Sequence, residues 1–115
     1  MKIKFLGILT IGAALKAVEN NGYALQYVPA ELRTEAVALK AVERDGDALR
    51  YVKDQTPDVC LKAVENNGDA LRYVKDQTPD VCLKAVEKNG DALQYVLVKE
   101  LFISIATKLK IDIGI

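Results

Sequence analysis

Four groups of residues in this 115-residue chain have chemistry beyond packing: two cysteines, a column of tyrosines, repeated lysine–glutamate pairs and an oxygen-rich Glu-Asn-Asn-Gly-Asp segment. Cys60 and Cys82 could serve as nucleophiles or soft metal ligands. Their setting argues against both. The sequence has no histidine, which removes the commonest general base and the commonest metal ligand. A zinc site on these thiols would have to be completed by carboxylates. Glu65-Asn66-Asn67-Gly68-Asp69 suggests calcium by its oxygen content, but it lacks the spaced carboxylates and bidentate glutamate of a calcium loop. No set of residues pairs a nucleophile with a base and an oxyanion donor. The expectation is a protein that is not an enzyme, with no catalytic residues, no metal and no cofactor.

What positions these residues is a tandem repeat, the feature to seek first in any sequence. Leu15-Lys16-Ala17-Val18-Glu19 recurs from Leu39, Leu61 and Leu83. A glycine follows at Gly22, Gly46, Gly68 and Gly90, and then Ala-Leu-(Arg/Gln)-Tyr-Val from Ala24, Ala48, Ala70 and Ala92. The period is about 22 residues, and Gly46–Glu65 is repeated unchanged as Gly68–Glu87. In this register Cys60 and Cys82 are equivalent, and Ala14 and Ala38 fill the same place. A site that accepts alanine or cysteine is a small core site, where free cysteine acts as a small hydrophobe. Stacked repeats also hold the two thiols beyond the roughly 7 Å Cα separation of a disulfide.

Each unit reads as two helices. Thr56 can accept a bond from a first-turn N–H. Pro57 suits the first helical position and Asp58 the positive end of the helix dipole. Val59, Cys60, Ala63 and Val64 form one apolar stripe. Gly68 is expected to end the helix in the left-handed conformation, and Asp69 to cap a second, shorter helix whose apolar face is Ala70, Leu71, Tyr73 and Val74. Lys75-Asp76-Gln77 returns to the next cap, Thr78.

Thr10, Thr34, Thr56 and Thr78 all stand five residues before the repeated leucine. This register extends backwards, matching Phe5 to Tyr51 and Leu6 to Val52. The apolar start, which imitates a signal peptide, therefore reads as half a leading repeat, and the expected location is cytoplasmic. The organisation is one repeat domain over 1–115: an incomplete leading repeat at 1–9, repeats at 10–33, 34–55, 56–77 and 78–96, and a C-terminal cap at 97–115. Pro29-Ala30-Glu31-Leu32-Arg33 is two residues longer than the other junctions and predicts an extra loose or 3₁₀ turn. Asp91 to Lys110 has no glycine or proline and predicts one long helix that covers the end of the stack, as repeat arrays require. The fold class is all-α: a short α-solenoid of helix–turn–helix repeats with a C-terminal capping helix.

The polar columns supply the candidate surfaces. Lys16, Lys40, Lys62 and Lys84 stand three residues before Glu19, Glu43, Glu65 and Glu87, as expected of a solvated helix face. Tyr27, Tyr51, Tyr73 and Tyr95, with Phe5, form a ladder that could offer stacking platforms but is read as core or groove packing. Gln26, Arg50, Arg72 and Gln94 form the one polar column that varies between repeats. With Lys53 and Lys75 it is the candidate binding surface. Lysine plus arginine equals aspartate plus glutamate, 16 each. That balance argues against nucleic acid, which calls for a net basic face, and gives no reason to expect a membrane. A protein partner is the leading expectation. Self-association through the apolar terminal helix and the Ile111–Ile115 tail is the alternative, giving a homo-oligomer.

The unit resembles the tandem repeats of the domain-of-unknown-function 4116 family. The likeness rests on Ala63-Val64-Glu65-Asn66-Asn67-Gly68 and Ala70-Leu71-Arg72-Tyr73-Val74 and covers roughly residues 13–96. Tyr27–Arg33 is similar to the family's longer linker; the Lys-Asp-Gln-Thr-Pro junctions and the segment after Val96 depart from it. The resemblance implies a helical fold and no functional residue.

Overall fold

A computed structural model describes the chain from Thr10 to Ile111; the half repeat read at 1–9 and the tail at 112–115 lie outside the described residues. Among the described residues five α-helices follow one another: α1 (Ile11–Asn20), α2 (Glu35–Arg44), α3 (Pro57–Asn66), α4 (Pro79–Lys88) and α5 (Lys99–Lys108). Between them run six-residue 3₁₀ helices, Gly22–Tyr27, Gly46–Tyr51, Gly68–Tyr73 and Gly90–Tyr95, with a short 3₁₀ turn at Ala30–Leu32 in the longer first junction. There is no strand among the described residues. Each of α2, α3 and α4 packs on the α-helix and the 3₁₀ helix of the repeat before it. The result is a rod-like stack, 58 × 21 × 19 Å.

Local chemistry accounts for the long helices. Thr10, Thr34, Thr56 and Thr78 each cap one, their hydroxyls accepting from Ala13, Val37, Val59 and Val81 N–H. Pro57 and Pro79 stand in the first turns of α3 and α4. In each of α2, α3 and α4 four small side chains are buried, Val59, Cys60, Ala63 and Val64 in α3. Small residues on that stripe let successive helices approach closely.

The second element of each unit is a 3₁₀ helix, and the period of three explains its sequence. Gly46, Leu49 and Val52 lie along one buried edge, Ala48 and Tyr51 along the next, Asp47 and Arg50 along the polar third. Six residues is long for this geometry, whose hydrogen bonds are poor, so the segment depends on the neighbours that hold it.

Two expectations about the α-to-3₁₀ transition are corrected. Gly68 is not left-handed: the only positive φ among the described non-glycine residues is at Lys110, and none of the repeat glycines has one either. The helix ends because Asn67 turns extended (φ −149, ψ 109) while its N–H still bonds Ala63 O. Nor does Asp69 cap the 3₁₀ helix; the Asn67 side chain does, accepting from Asp69 N–H at 3.0 Å, the Asx geometry that asparagine favours. Glycine is required for closeness instead. A Cβ on Gly68 would run into the Ala85 carbonyl of the next repeat, just as Gly46 meets Ala63 O and Gly22 meets Ala41 O.

The junctions are closed by one residue each. The Gln55 side-chain amide donates to Tyr73 O (2.8 Å), and its oxygen accepts from Lys75 N–H (3.0 Å). Gln77 does the same for Tyr95 O (2.9 Å) and Leu97 N–H (3.0 Å). Arg33 holds the equivalent place in the first junction and donates to Tyr51 O (3.1 Å) as well as Val28 O and Gln26 O. This grip also corrects the terminal helix. The segment Asp91–Lys110 is not continuous: with Tyr95 O and Leu97 N–H taken by Gln77, the chain leaves the 3₁₀ helix at Val96 and restarts at Lys99. α5 buries Ile105 and Ala106 and packs on α4 and on Gly90–Tyr95.

These contacts set two expectations, both read from urea midpoints. Gly68→Ala, forced against a backbone carbonyl, should cost about 2 kcal/mol, the scale of overpacking. Gly90→Ala, with nothing within 4 Å of the new methyl, should change stability by no more than about 0.5 kcal/mol. Equal effects would mean that the glycines serve backbone conformation after all. Gln55→Ala should cost about 1–2 kcal/mol by leaving junction backbone groups unpaired, whereas Gln55→Arg, copying Arg33, should retain most of that.

Candidate functional site

The six candidate binding residues fall into two settings. Arg50 and Arg72 lie on the polar edges of adjacent 3₁₀ helices. The Arg50 guanidinium stands 5.1 Å from the ring centre of Tyr51 and 5.8 Å from that of Tyr73. Arg72 stands 4.8 Å from Tyr73 and 6.0 Å from Tyr95. Each arginine thus bridges its own tyrosine and the next repeat's, within the roughly 6 Å reach of a cation–π contact. Tyr51, Tyr73 and Tyr95 pack half-buried against the core, as expected, and they are also the rungs of an Arg–Tyr ladder on the surface.

The glutamines of the column behave differently. Gln26 and Gln94 fold back to donate to Tyr23 O (3.1 Å) and Asp91 O (3.0 Å), closing their own 3₁₀ helices. Tyr27, next to Gln26, has no arginine over it and is 79 % exposed. The ladder is therefore complete only between Tyr51 and Tyr95. Arginine interleaving was beyond sequence reasoning because it needs the spacing between adjacent rungs, although Arg-Tyr beside Gln-Tyr in the repeat was its trace.

Within the ladder the two arginines are not equivalent. Arg72 reaches Asp47 of the preceding rung at 3.4 Å. The matching residue for Arg50 is Tyr23, and Arg50 has no carboxylate partner among the described residues. Asp47 also accepts from Asn67 (3.2 Å), and Asp69 from Asn89 (3.1 Å), so these aspartates tie each rung to the next.

Lys53 and Lys75 sit elsewhere, at the junctions. Both line a groove of about 430 Å³ with Gln55, Cys60 and Asp76; Lys53 also lines a second groove of about 380 Å³ beside Arg33 and Glu35. Asp54 and Asp76 stand next to the lysines in the first groove, so it carries both signs and no strong field. The lysine–glutamate columns form exposed i,i+3 pairs at 3.7–4.0 Å, worth a few tenths of a kcal/mol each.

Both cysteines are free and buried. Burial, aided by Asp76, pushes the Cys60 thiol up, and burial alone pushes Cys82 from 9.0 to about 11. Each Sγ–H donates to the glutamine of its own junction, Gln55 (3.6 Å) or Gln77 (3.5 Å), which also favours the neutral thiol. A nucleophile or metal ligand needs the thiolate; these sites oppose it. Among the described residues no three metal-binding side chains converge, and no helix is long and apolar enough to cross a membrane.

Native protein at pH 8 should react with a thiol-directed disulfide reagent at least about 100-fold more slowly than protein in denaturant, since burial shields the thiol and further lowers its thiolate fraction. The sign of the linkage follows. Cys82 titrates higher when folded than unfolded, so its contribution is complete below about pH 9 and is lost as pH rises through about 11. The stability advantage of the parent over Cys82→Ala should therefore shrink between pH 9 and 11. A constant difference would place the thiol in contact with water.

No curated protein and no solved structure matches the chain. A family profile does, three overlapping times, over residues 14–56, 34–78 and 56–102, each match running from one repeat into the next. Together these matches span most of the chain and the whole interleaved ladder, so the protein belongs to the family described as domain of unknown function DUF4116.

Proposed function

We propose that the chain is a non-catalytic scaffold that binds another protein through the Arg–Tyr ladder, with Arg50 as its centre. The observation that carries this is the state of Arg50: exposed, stacked against Tyr51 and Tyr73, and without a carboxylate partner among the described residues. Arginine and tyrosine dominate the energetic centres of protein interfaces. A guanidinium already held within 5.1 and 5.8 Å of two ring centres also has less freedom to lose on binding, and ordering costs of this kind diminish binding energy. Its planar fork of N–H donors matches a carboxylate, and it meets none among the described residues. The partner that fits is an acidic segment laid along the rungs.

The same reading leaves out catalysis, nucleic acid and membrane. It is supported by the absence of histidine from the sequence, the raised thiols and the equal numbers of acidic and basic residues. The two unpaired thiols suit a cytoplasmic setting, where reductants keep cysteines reduced.

The test is capture of cross-linked partners from the native source with the parent, Arg50→Lys and Arg50→Glu. Parent-specific partners should weaken with lysine, which keeps charge but not the forked donors, and disappear with glutamate, at unchanged helical circular dichroism. Partners retained by Arg50→Glu would refute the ladder as the binding face.

A further inference from the structure

The last rung of the array differs from the three before it. Gly22, Gly46 and Gly68 are buried under the following repeat, while Gly90 is exposed, with nothing among the described residues beyond its chain neighbours within 4 Å of where a Cβ would stand. Asp47 and Asp69 are half-buried and accept from the next repeat's asparagine; Asp91, their equivalent, is exposed and takes part in no such bond among the described residues. Leu97 stands where the earlier rungs have Lys53 and Lys75, and it is 77 % exposed. α5 packs against α4 and this rung without reaching Gly90.

The complementary half lies at the other end. Leu15–Gly22 and Leu61–Gly68 are the same eight residues. In α3 that segment makes the junction with the Gly46 rung. Asn66 accepts from Gly46 N–H (2.6 Å) and donates to Glu43 O (3.1 Å), Asn67 donates to Asp47, and Ala63 O covers Gly46. In α1 the same residues are open: Asn20 and Asn21 are exposed, and Ala17 is half-buried where Ala41, Ala63 and Ala85 are fully buried. Ala13 is exposed where Val37, Val59 and Val81 are buried. The receiving residues Glu43, Gly46 and Asp47 recur as Glu87, Gly90 and Asp91.

We propose that the Gly90 rung of one copy receives α1 of a second copy, continuing the stack head to tail. Asn20 takes the Gly90 N–H and the Glu87 carbonyl, Asn21 takes Asp91, and the Ala17 carbonyl lies on Gly90. Each contact is one the protein already makes between residues 43–47 and the 63–67 segment of the next repeat. The partner also covers Leu97. The two surfaces differ from each other, so the contact does not close at two copies; it grows into open chains. This inference stands independently of the ladder reading.

Sedimentation of the full chain over roughly 5 to 500 µM, a span wide enough to bracket a micromolar constant, should show average mass rising with concentration beyond the dimer. Gly90→Val should raise the dissociation constant at least tenfold while leaving the melting temperature of the dilute protein unchanged, because a Cβ there meets nothing among the described residues of its own copy. A second arm places Cys at both faces without touching Gly90, Asn21→Cys with Asp91→Cys, in a Cys60→Ala, Cys82→Ala background. The internal counterparts of this pair, Asn67 and Asp47, are in side-chain contact at 3.2 Å, within the span of a short bis-maleimide. Cross-linking should give a ladder of dimers, trimers and higher species on a denaturing gel. A monomer at every concentration, association undiminished by Gly90→Val, or cross-linking that stops at dimers would each overturn the proposal.

Discussion

The structure depends on one close approach: the carbonyl of an alanine in each of α2, α3 and α4 lies where the previous repeat's glycine would carry its Cβ. At that separation only glycine fits, and the small side chains of the α-helical stripe follow from the same demand. The approach brings polar groups of adjacent repeats within bonding distance. Asn66 and Asn67 reach back to Gly46 and Asp47, and Gln55 reaches forward to Tyr73 and Lys75. A six-residue 3₁₀ helix, poorly bonded within itself, is thereby held from both sides. Stability in such an array is built from nearest-neighbour interfaces, and here each interface is one glycine, an aspartate or one or two asparagines, and one bridging glutamine or arginine.

The α-helices were legible because their signals are local. A threonine cap, a proline in the first turn and apolar spacing of three and four all act within ten residues, and each caps or fills what its spacing implies. The glycine was legible in position but not in cause. Left-handed conformation and close approach select the same residue, and only the neighbour tells them apart. The break at Val96 was hidden for a similar reason. Leu97, Leu101, Ile105 and Leu109 do have helical spacing, but Gln77, twenty residues earlier, takes the backbone groups at Tyr95 and Leu97. Gln55 and Gln77 looked like polar linker because nothing in the residues beside them shows a bond to the next repeat.

The candidate surface shows the same division. Composition gave the column Gln26, Arg50, Arg72 and Gln94 as variable, and variation was its only mark. The structure explains the variation: arginine stands where tyrosines lie on both sides at stacking distance, glutamine where the side chain closes its own turn. Arg72 then spends part of its charge on Asp47, an exposed pair of small worth, and Arg50 does not. That asymmetry comes from a single residue, Tyr23 in the place of aspartate, so the first repeat shapes the chemistry of the second.

Head-to-tail growth would have a consequence for that surface. Inside the chain, each arginine bridges its own rung and the next. At a junction between copies, the rung of Tyr95 would face the rung of Tyr27, and both carry glutamine instead of arginine. A chain of copies would therefore be continuous in its core, where Ala17 meets Gly90, and discontinuous on its face, where each copy's two-arginine ladder is separated from the next by two rungs without arginine. Such a surface presents the same short cationic site at regular intervals. Its binding strength for a repeated acidic partner would come from the number of sites engaged together, and for a single acidic segment from Arg50 and Arg72 alone.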